Sequence, residues 1–204
     1  MRKIFVTGIG TDVGKTVVSA MLVEALQADY WKPVQAGTFL ATDSENVKQL
    51  ISNNETAIHP ESYRLRESKS PHEAAAAEGV KIDFEKIVLP NSANRTLVIE
   101  GAGGVMVPLN EKYFIIDLIK KFDAEVIVVI QNYLGSINHS LLTIDSLKNR
   151  GIKIVGIVFN GSPHKASEDL ILNYSGLRCI SRIIKEDNIN PNIILKYAKY
   201  FASI

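Results

Sequence analysis

Thr7-Gly8-Ile9-Gly10-Thr11-Asp12-Val13-Gly14-Lys15-Thr16 is the stretch that decides the fold. It follows a short apolar run, Lys3–Thr7. It precedes a helically spaced segment, Thr16–Ala28, in which Val18, Met21, Leu22 and Ala25 share one face. A glycine-rich turn between a strand and a helix is where a phosphate-binding loop must sit. Glycines let backbone N–H groups turn toward phosphate oxygens, and the helix N-terminus adds partial positive charge. Lys15 can then reach the β- and γ-phosphates, and the Thr16 hydroxyl can ligate Mg2+. The usual pattern has four residues between its two glycines; here five separate Gly8 from Gly14. The other reading, a glycine turn with no ligand, leaves the coincidence of strand, glycines, Lys-Thr and helix without a cause.

Outward from this loop the chain alternates between two patterns. Thr96–Glu100, Glu125–Ile130 and Lys153–Phe159 are near-continuously apolar, as strands buried on both faces should be. Phe114–Phe122 and Ser136–Arg150 have helical spacing; in the latter, Ile137, Leu141, Ile144 and Leu147 form the apolar face, with Ser136 expected as N-cap and Gly151 as the stop. Such alternation predicts βαβ units and right-handed crossovers. The predicted fold class is α/β, a P-loop NTPase-like three-layer sandwich with a mainly parallel sheet, as one domain over residues 1–204. Ala41–Leu89 is less regular and reads as helices and loops laid over the sheet. Asn188–Ile204 reads as a terminal helix beginning near Pro191.

Composition narrows the function. The 204 residues carry 23 Lys+Arg against 22 Asp+Glu, a formal charge of +1, which argues against a polybasic nucleic-acid or membrane surface. Cys179 is alone, so no disulfide framework or CxxC metal knuckle is expected. Met1–Thr7 meets glycine too soon for a secretory signal, and runs such as Val126–Ile130 are too short to span a bilayer. A cytoplasmic enzyme or nucleotide switch is expected, with no nucleic-acid or membrane partner.

Parallel sheets bind ligands at the carboxyl ends of their strands, and three charged residues fall there. Glu100 ends a predicted strand and is followed by Gly101-Ala102-Gly103-Gly104. A carboxylate there can hold Mg2+ directly or through water, and the glycines leave N–H groups for an anion or a closely approaching substrate. Lys32 ends a short second strand, preceded by Trp31 and followed by Pro33-Val34, an unusual setting for a solvated lysine. Asp43 is a second metal-ligand candidate and could equally be a helix N-cap.

Taken together, Gly8-x5-Gly14-Lys15-Thr16, Lys32-Pro33-Val34-x-x-Gly37, Ser70-Pro71-His72, Glu100–Gly104 and Leu134-Gly135-Ser136-Ile137-Asn138-His139 resemble the dethiobiotin synthases. The likeness runs in order over about residues 3–161, and the longer phosphate loop is itself a family feature. It implies an ATP- and Mg2+-dependent ligase of biotin synthesis acting on 7,8-diaminononanoate and CO2. A substrate amine takes up CO2 as a carbamate, the carbamate attacks the γ-phosphate, and the neighbouring amine closes the ureido ring.

By that resemblance, Gly8, Gly10, Thr11, Asp12, Val13, Gly14, Lys15, Thr16, Val17 and Asn160 bind ATP, with Asn160 on the adenine. Lys15, Lys32, Thr11 and Thr38 serve the chemistry, and Thr16, Asp43 and Glu100 hold the metal. Thr38, Gly101, Gly103, Gly104, Leu134, Gly135, Ser136 and Asn138 contact the diamine. The Leu134–His139 loop comes from a neighbouring subunit and holds the substrate carboxylate, which implies a homodimer with shared sites. His139 reads as a helix-start histidine hydrogen-bonded to backbone rather than a catalytic one.

Three positions depart from the family pattern. Asp12 stands where Glu is frequent, Ala36 where a hydroxyl residue is common, and Cys179-Ile180-Ser181-Arg182 where a Gly-x-Ile-Pro loop usually flanks the base. The last departure predicts relaxed use of other triphosphates. The alternative function is a partition- or septum-type P-loop switch ATPase. Those carry a second lysine early in the loop, where this chain has Gly10.

Overall fold

The computed structural model describes residues 1–37 and 41–204. Nine strands and seven α-helices are described. In chain order they are β1 (Arg2–Gly8), α1 (Lys15–Leu26), β2 (Asp29–Trp31), β3 (Val34–Ala36), α2 (Asp43–Leu50), β4 (Ile58–His59), β5 (Tyr63–Leu65), α3 (Pro71–Ala77), β6 (Thr96–Gly104), α4 (Ile115–Lys121), β7 (Glu125–Gln131), α5 (Ser136–Lys148), β8 (Ile154–Asn160), α6 (Lys165–Ser175), β9 (Cys179–Ile183) and α7 (Pro191–Ala198).

The main sheet has the order β4-β2-β6-β1-β7-β8-β9, with every described pair parallel. Its middle strands are apolar throughout: Ile4–Val6, Leu97–Ile99 and Val126–Ile130 have no exposed surface. Such strands need a helical layer on each face. The crossover from β1 to β2 runs one way along the sheet, and those from β6 to β7, β8 and β9 run the other. A single crossover hand therefore places α1 on one face and α4, α5 and α6 on the opposite one. Helix α1 packs with α2 and α7, and α5 packs with α6. Trp31 and Phe122 help join β2 to the end of α4, ring centroids 5.5 Å apart. The direction of winding reverses around β1, which opens a crevice above the carboxyl ends of β1 and its neighbours.

The expected strands and helices are present within a few residues of the predicted bounds. Helix α7 starts at Pro191 with Asn190 as its cap. Beyond α5, Gly151 adopts φ 69°, and its N–H and that of Ile152 close back on Lys148 and Leu147. The α5 start differs from expectation: Gly135, at φ 101°, is the N-cap, and Ser136 is already helical with its side chain buried. A glycine reaches this left-handed angle without a Cβ clash, and serine does not. Ala41–Leu89 also holds more strand than expected. β4 extends the main sheet, and β5 pairs with β3 in a two-stranded parallel sheet against which α3 packs. β9 was not expected.

Candidate active site

The phosphate loop lies in the crevice above β1. Gly14 is the N-cap of α1 at φ 93°, and no side chain caps the helix, so its first-turn N–H groups are left for a ligand. Asp12 also sits in the left-handed region, at φ 58°. Both end glycines are tight. A Cβ on Gly8 would lie 2.4 Å from Val13 Cγ2, and one on Gly14 would lie 2.2 Å from Asn160 Nδ2. Lys15 is 7% exposed and donates from Nζ to the Gly10 carbonyl at 2.8 Å. Burial, with a smaller push from Lys32, lowers its pKa from 10.5 to about 8 against the attraction of Glu100 and Asp43.

Beside the loop is a knot of buried charge. Lys32 Nζ contacts Glu100 Oε1 at 3.0 Å and Asp43 Oδ2 at 2.5 Å. Burial opposes the lysine's charge, but the two carboxylates outweigh it and hold its pKa above the ordinary value. Asp43 shows the converse balance: its burial is outweighed by Lys32, and its pKa is lowered. The Thr16 hydroxyl lies 3.0 Å from Asp43 Oδ1 and 2.9 Å from Glu100 Oε1. With Lys32 donating to Glu100 Oε1, the single Thr16 proton is free for Asp43 Oδ1, and three oxygens converge around one small space. Among the described residues, no group of three His, Cys, Asp or Glu side chains gathers for a metal. An all-oxygen set of two carboxylates and a hydroxyl fits Mg2+, which keeps several waters and takes few protein ligands.

These groups share one cleft of about 860 Å³. Of the expected site residues, Thr11, Asp12, Gly14, Lys15, Thr16, Val17, Lys32, Asp43, Glu100 and Gly103 line it, as does Ala36. Gly104 brings β6 against the loop; a Cβ there would lie 3.5 Å from the Gly8 carbonyl oxygen. Gly101 is buried, and a Cβ on it would meet the Phe5 ring at 2.8 Å. Asn160, ending β8, donates from Nδ2 to the Val13 carbonyl at 3.0 Å. Thr38 lies outside the described residues.

The Leu134–Asn138 segment does not line this cleft. It stands at the start of α5 with Leu134 fully exposed. His139 departs from expectation: its ring Nδ1 pairs with the Tyr133 hydroxyl at 2.8 Å rather than with backbone.

Tyr30 and Gln35, which brace the lysine-carboxylate cluster, and the cleft residues Ser68 and Lys69 carry no signal in the sequence. Tyr30 is fully buried and donates from its hydroxyl to Glu100 Oε2 at 2.9 Å, which fixes the carboxylate from behind. Gln35 accepts from the Asp43 N–H at 3.1 Å. Ser68, Lys69 and Ser70 close the far wall. A tyrosine beside a tryptophan in a strand reads as core, and only the fold brings its hydroxyl to Glu100.

Comparison with known proteins supplies the family. A family model described as an AAA domain matches residues 2–192. An ATP-dependent dethiobiotin synthetase of Cytophaga hutchinsonii is 50% identical over 198 residues, covering 97% of this chain and 96% of that protein. One of Christiangramia forsetii is 47% identical over 200 residues, covering 98% and 96%. The chain belongs to the dethiobiotin synthetases.

Solved structures show the same fold at greater distance from this dethiobiotin synthetase family member. A ParA family ATPase from Chlorobium tepidum superposes with a TM-score of 0.58 at 13% identity, covering 100% of this chain and 93% of that one. The cell division ATPase MinD of Pyrococcus furiosus gives 0.57 at 14%, covering 100% and 99%. At such identities the likeness is one of P-loop architecture alone. The Cys179-Ile180-Ser181-Arg182 segment lies in strand β9, with Arg182 directed to Glu168.

Proposed function

We infer that this chain is an ATP-dependent ligase of biotin biosynthesis that joins CO2 to 7,8-diaminononanoate and closes the ureido ring of dethiobiotin, as a single domain over residues 1–204. The observation that carries the reading is the meeting of Lys32 and Glu100 beside the Gly8–Thr16 loop, in a chain aligned with dethiobiotin synthetases over nearly its whole length.

The chemistry brings an anionic carbamate onto an anionic γ-phosphate, and the residues answer that difficulty. Loop N–H groups and Lys15 hold the triphosphate, and Lys32 sits where charge develops. Thr16, Asp43 and Glu100 would hold Mg2+, which when bound supplies positive charge against the β- and γ-phosphate oxygens. In the ligand-free chain Lys32 balances those carboxylates. The hydroxyls of Thr11 and Thr38 and the backbone of Gly103 serve the carbamate and diamine, with Gly104 holding β6 close to the loop; Gly101, expected beside them, is buried against Phe5. The carbamate oxygen bonds to the γ-phosphorus as the bond to ADP breaks. The second amine then attacks the carbamoyl carbon, the C–O bond to phosphate breaks, phosphate departs with both electrons, and the amine proton passes to the departing phosphate or to solvent.

The distal carboxylate of the diamine needs N–H donors of its own. The exposed Leu134-Gly135 turn, with Asn138 exposed on the first turn of α5, offers N–H groups to an anion in a second copy, while the N–H of the buried Ser136 is taken by the Tyr133 carbonyl; the working form is a homodimer. Asn160 meets the base.

The decisive experiment is incubation of the protein with 7,8-diaminononanoate, bicarbonate and MgATP, with detection of dethiobiotin by mass. Formation of ADP and dethiobiotin in equal amounts is expected. Absence of product from folded protein refutes the reading.

A further inference from the structure

A second buried charge lies away from the lysine-carboxylate cluster. Glu168, in the first turn of α6, is 2% exposed. Its carboxylate accepts from Asn132 Nδ2 at 2.8 Å, from the His164 N–H at 3.1 Å and from Arg182 Nε at 2.6 Å. Asn132 follows β7, His164 lies in the β8–α6 loop, and Arg182 belongs to β9. One carboxylate therefore ties together the carboxyl ends of three adjacent strands.

The segment held in this way is the one that follows Asn160. Asn132 Nδ2 also donates to the Ser162 carbonyl at 3.1 Å, and the Gly161 N–H donates to the Ile183 carbonyl at 2.8 Å. Gly161 turns the chain at φ 93°. Asn160 itself reaches the phosphate loop at Val13. On the opposite side of Lys15 and Thr16 the space is taken by Lys32, Asp43 and Glu100. A nucleotide with its phosphates on the loop must lead its nucleoside toward Asn160 and Gly161. Packing alone does not call for a buried carboxylate here, because an apolar side chain of similar size fills such a place as well or better.

We propose that Glu168 is a positioning residue for the nucleoside half of the triphosphate site: through Asn132, His164 and Arg182 it fixes the Asn160–His164 loop against which ribose and base rest. The proposal rests on the reading that the Gly8–Thr16 loop holds the triphosphate of ATP.

Glu168→Gln keeps the shape and removes the charge that holds three donors. Charge-assisted hydrogen bonds of this kind predict that KM for ATP, and Kd for ADP by calorimetry, rise about ten-fold. The kcat and the KM for the diamine should stay within roughly two-fold, a split that simple loss of stability does not produce. Arg182→Gln, at a half-exposed position, should raise the same two constants and should add little in the double variant. It also serves if Glu168→Gln does not fold. Unchanged ADP affinity in either folded variant, or a fall in Tm with an unchanged KM for ATP, overturns the proposal. Failure of the unaltered protein to bind ADP overturns the nucleotide reading itself, and this proposal with it.

Discussion

Lys32 and Glu100 meet at 3.0 Å, Nζ to Oε1, with side chains only 5% and 1% exposed. Breaking such a pair costs far more than the pair itself contributes, because the survivor is left charged in a poor solvent. Lys32→Met leaves both Glu100 and Asp43 without their cation. A loss of about 3–5 kcal/mol of stability is expected, read as a shift of the urea midpoint. Millimolar Mg2+ should recover more stability in this variant than in the unaltered protein, because the same oxygens then have a cation. Equal Mg2+ effects in both proteins would separate the metal from this cluster.

Lys15 makes a prediction about protons. Its pKa in the folded chain is about 8, below the 10.5 of an unfolded lysine. A drop of that size corresponds to about 3 kcal/mol of cost, present in full below pH 8 where both states are protonated. The unfolded chain binds more protons between pH 8 and 10.5, so this group makes stability rise with pH across that window. A triphosphate beside Lys15 restores its charge. ATP binding at pH 8.5 should therefore take up a fraction of a proton, measured by calorimetry in buffers of different ionisation enthalpy. Lys15→Met should abolish the uptake; uptake of the same size in that variant assigns it elsewhere.

Gly14→Ala tests the fit of the loop against Asn160. The new methyl would enter the space of Asn160 Nδ2 at a backbone angle of φ 93°. Strain of about 1–3 kcal/mol is expected from the angle alone, and the asparagine must move as well. ADP affinity should fall more in Gly14→Ala than in Asn160→Ala. The double variant should bind better than Gly14→Ala alone, since the clash is relieved while the angle remains. Additive losses would mean that the two residues do not compete for space in the folded protein.

The shared-site dimer predicts complementation. Lys15→Ala disables the phosphate loop, and Asn138→Glu sets a negative charge at the exposed start of α5, where it suits the helix but repels a carboxylate. Each variant alone should be inactive. Mixed and re-equilibrated, a two-fold dimer with composite sites regains about a quarter of full activity, because half of the dimers are hybrids with one intact site each. No recovery, with hybrids demonstrated by mass, would place each site within a single chain.

The parts of this fold that were legible in the sequence are those where one physical demand is written in full. β1, β6, β7 and β8 are buried on both faces and read as unbroken apolar runs. β4 has two residues and β5 three, too few to show any period. β9 lies at the sheet edge, and its apolar pattern is broken by Ser181 and by Arg182, whose partner Glu168 comes from α6. The same contrast holds at the site. Lys15 and Lys32 come after strands, and Glu100 closes the apolar run of β6, which continues to Gly104; all three were readable from those positions. Tyr30 reads as a core aromatic until its hydroxyl is seen on Glu100. Gly101 stands in a glycine run that suggests an anion site, yet its want of a Cβ makes room for Phe5.

The place of β1 in the sheet has a consequence for how the molecule is made. Its strand partners are β6 and β7, so the chain runs from Gly8 to Thr96 before the first of them exists. At ordinary rates of translation this delay is on the order of ten seconds. During that time an apolar N-terminal segment, Ile4-Phe5-Val6, has left the ribosome with no sheet to enter. The loop that would grip the nucleotide is among the first pieces synthesised and among the last to acquire its shape. A chain stopped before Thr96 thus carries the phosphate loop without the strands that shape it, and is expected to aggregate rather than to bind ATP.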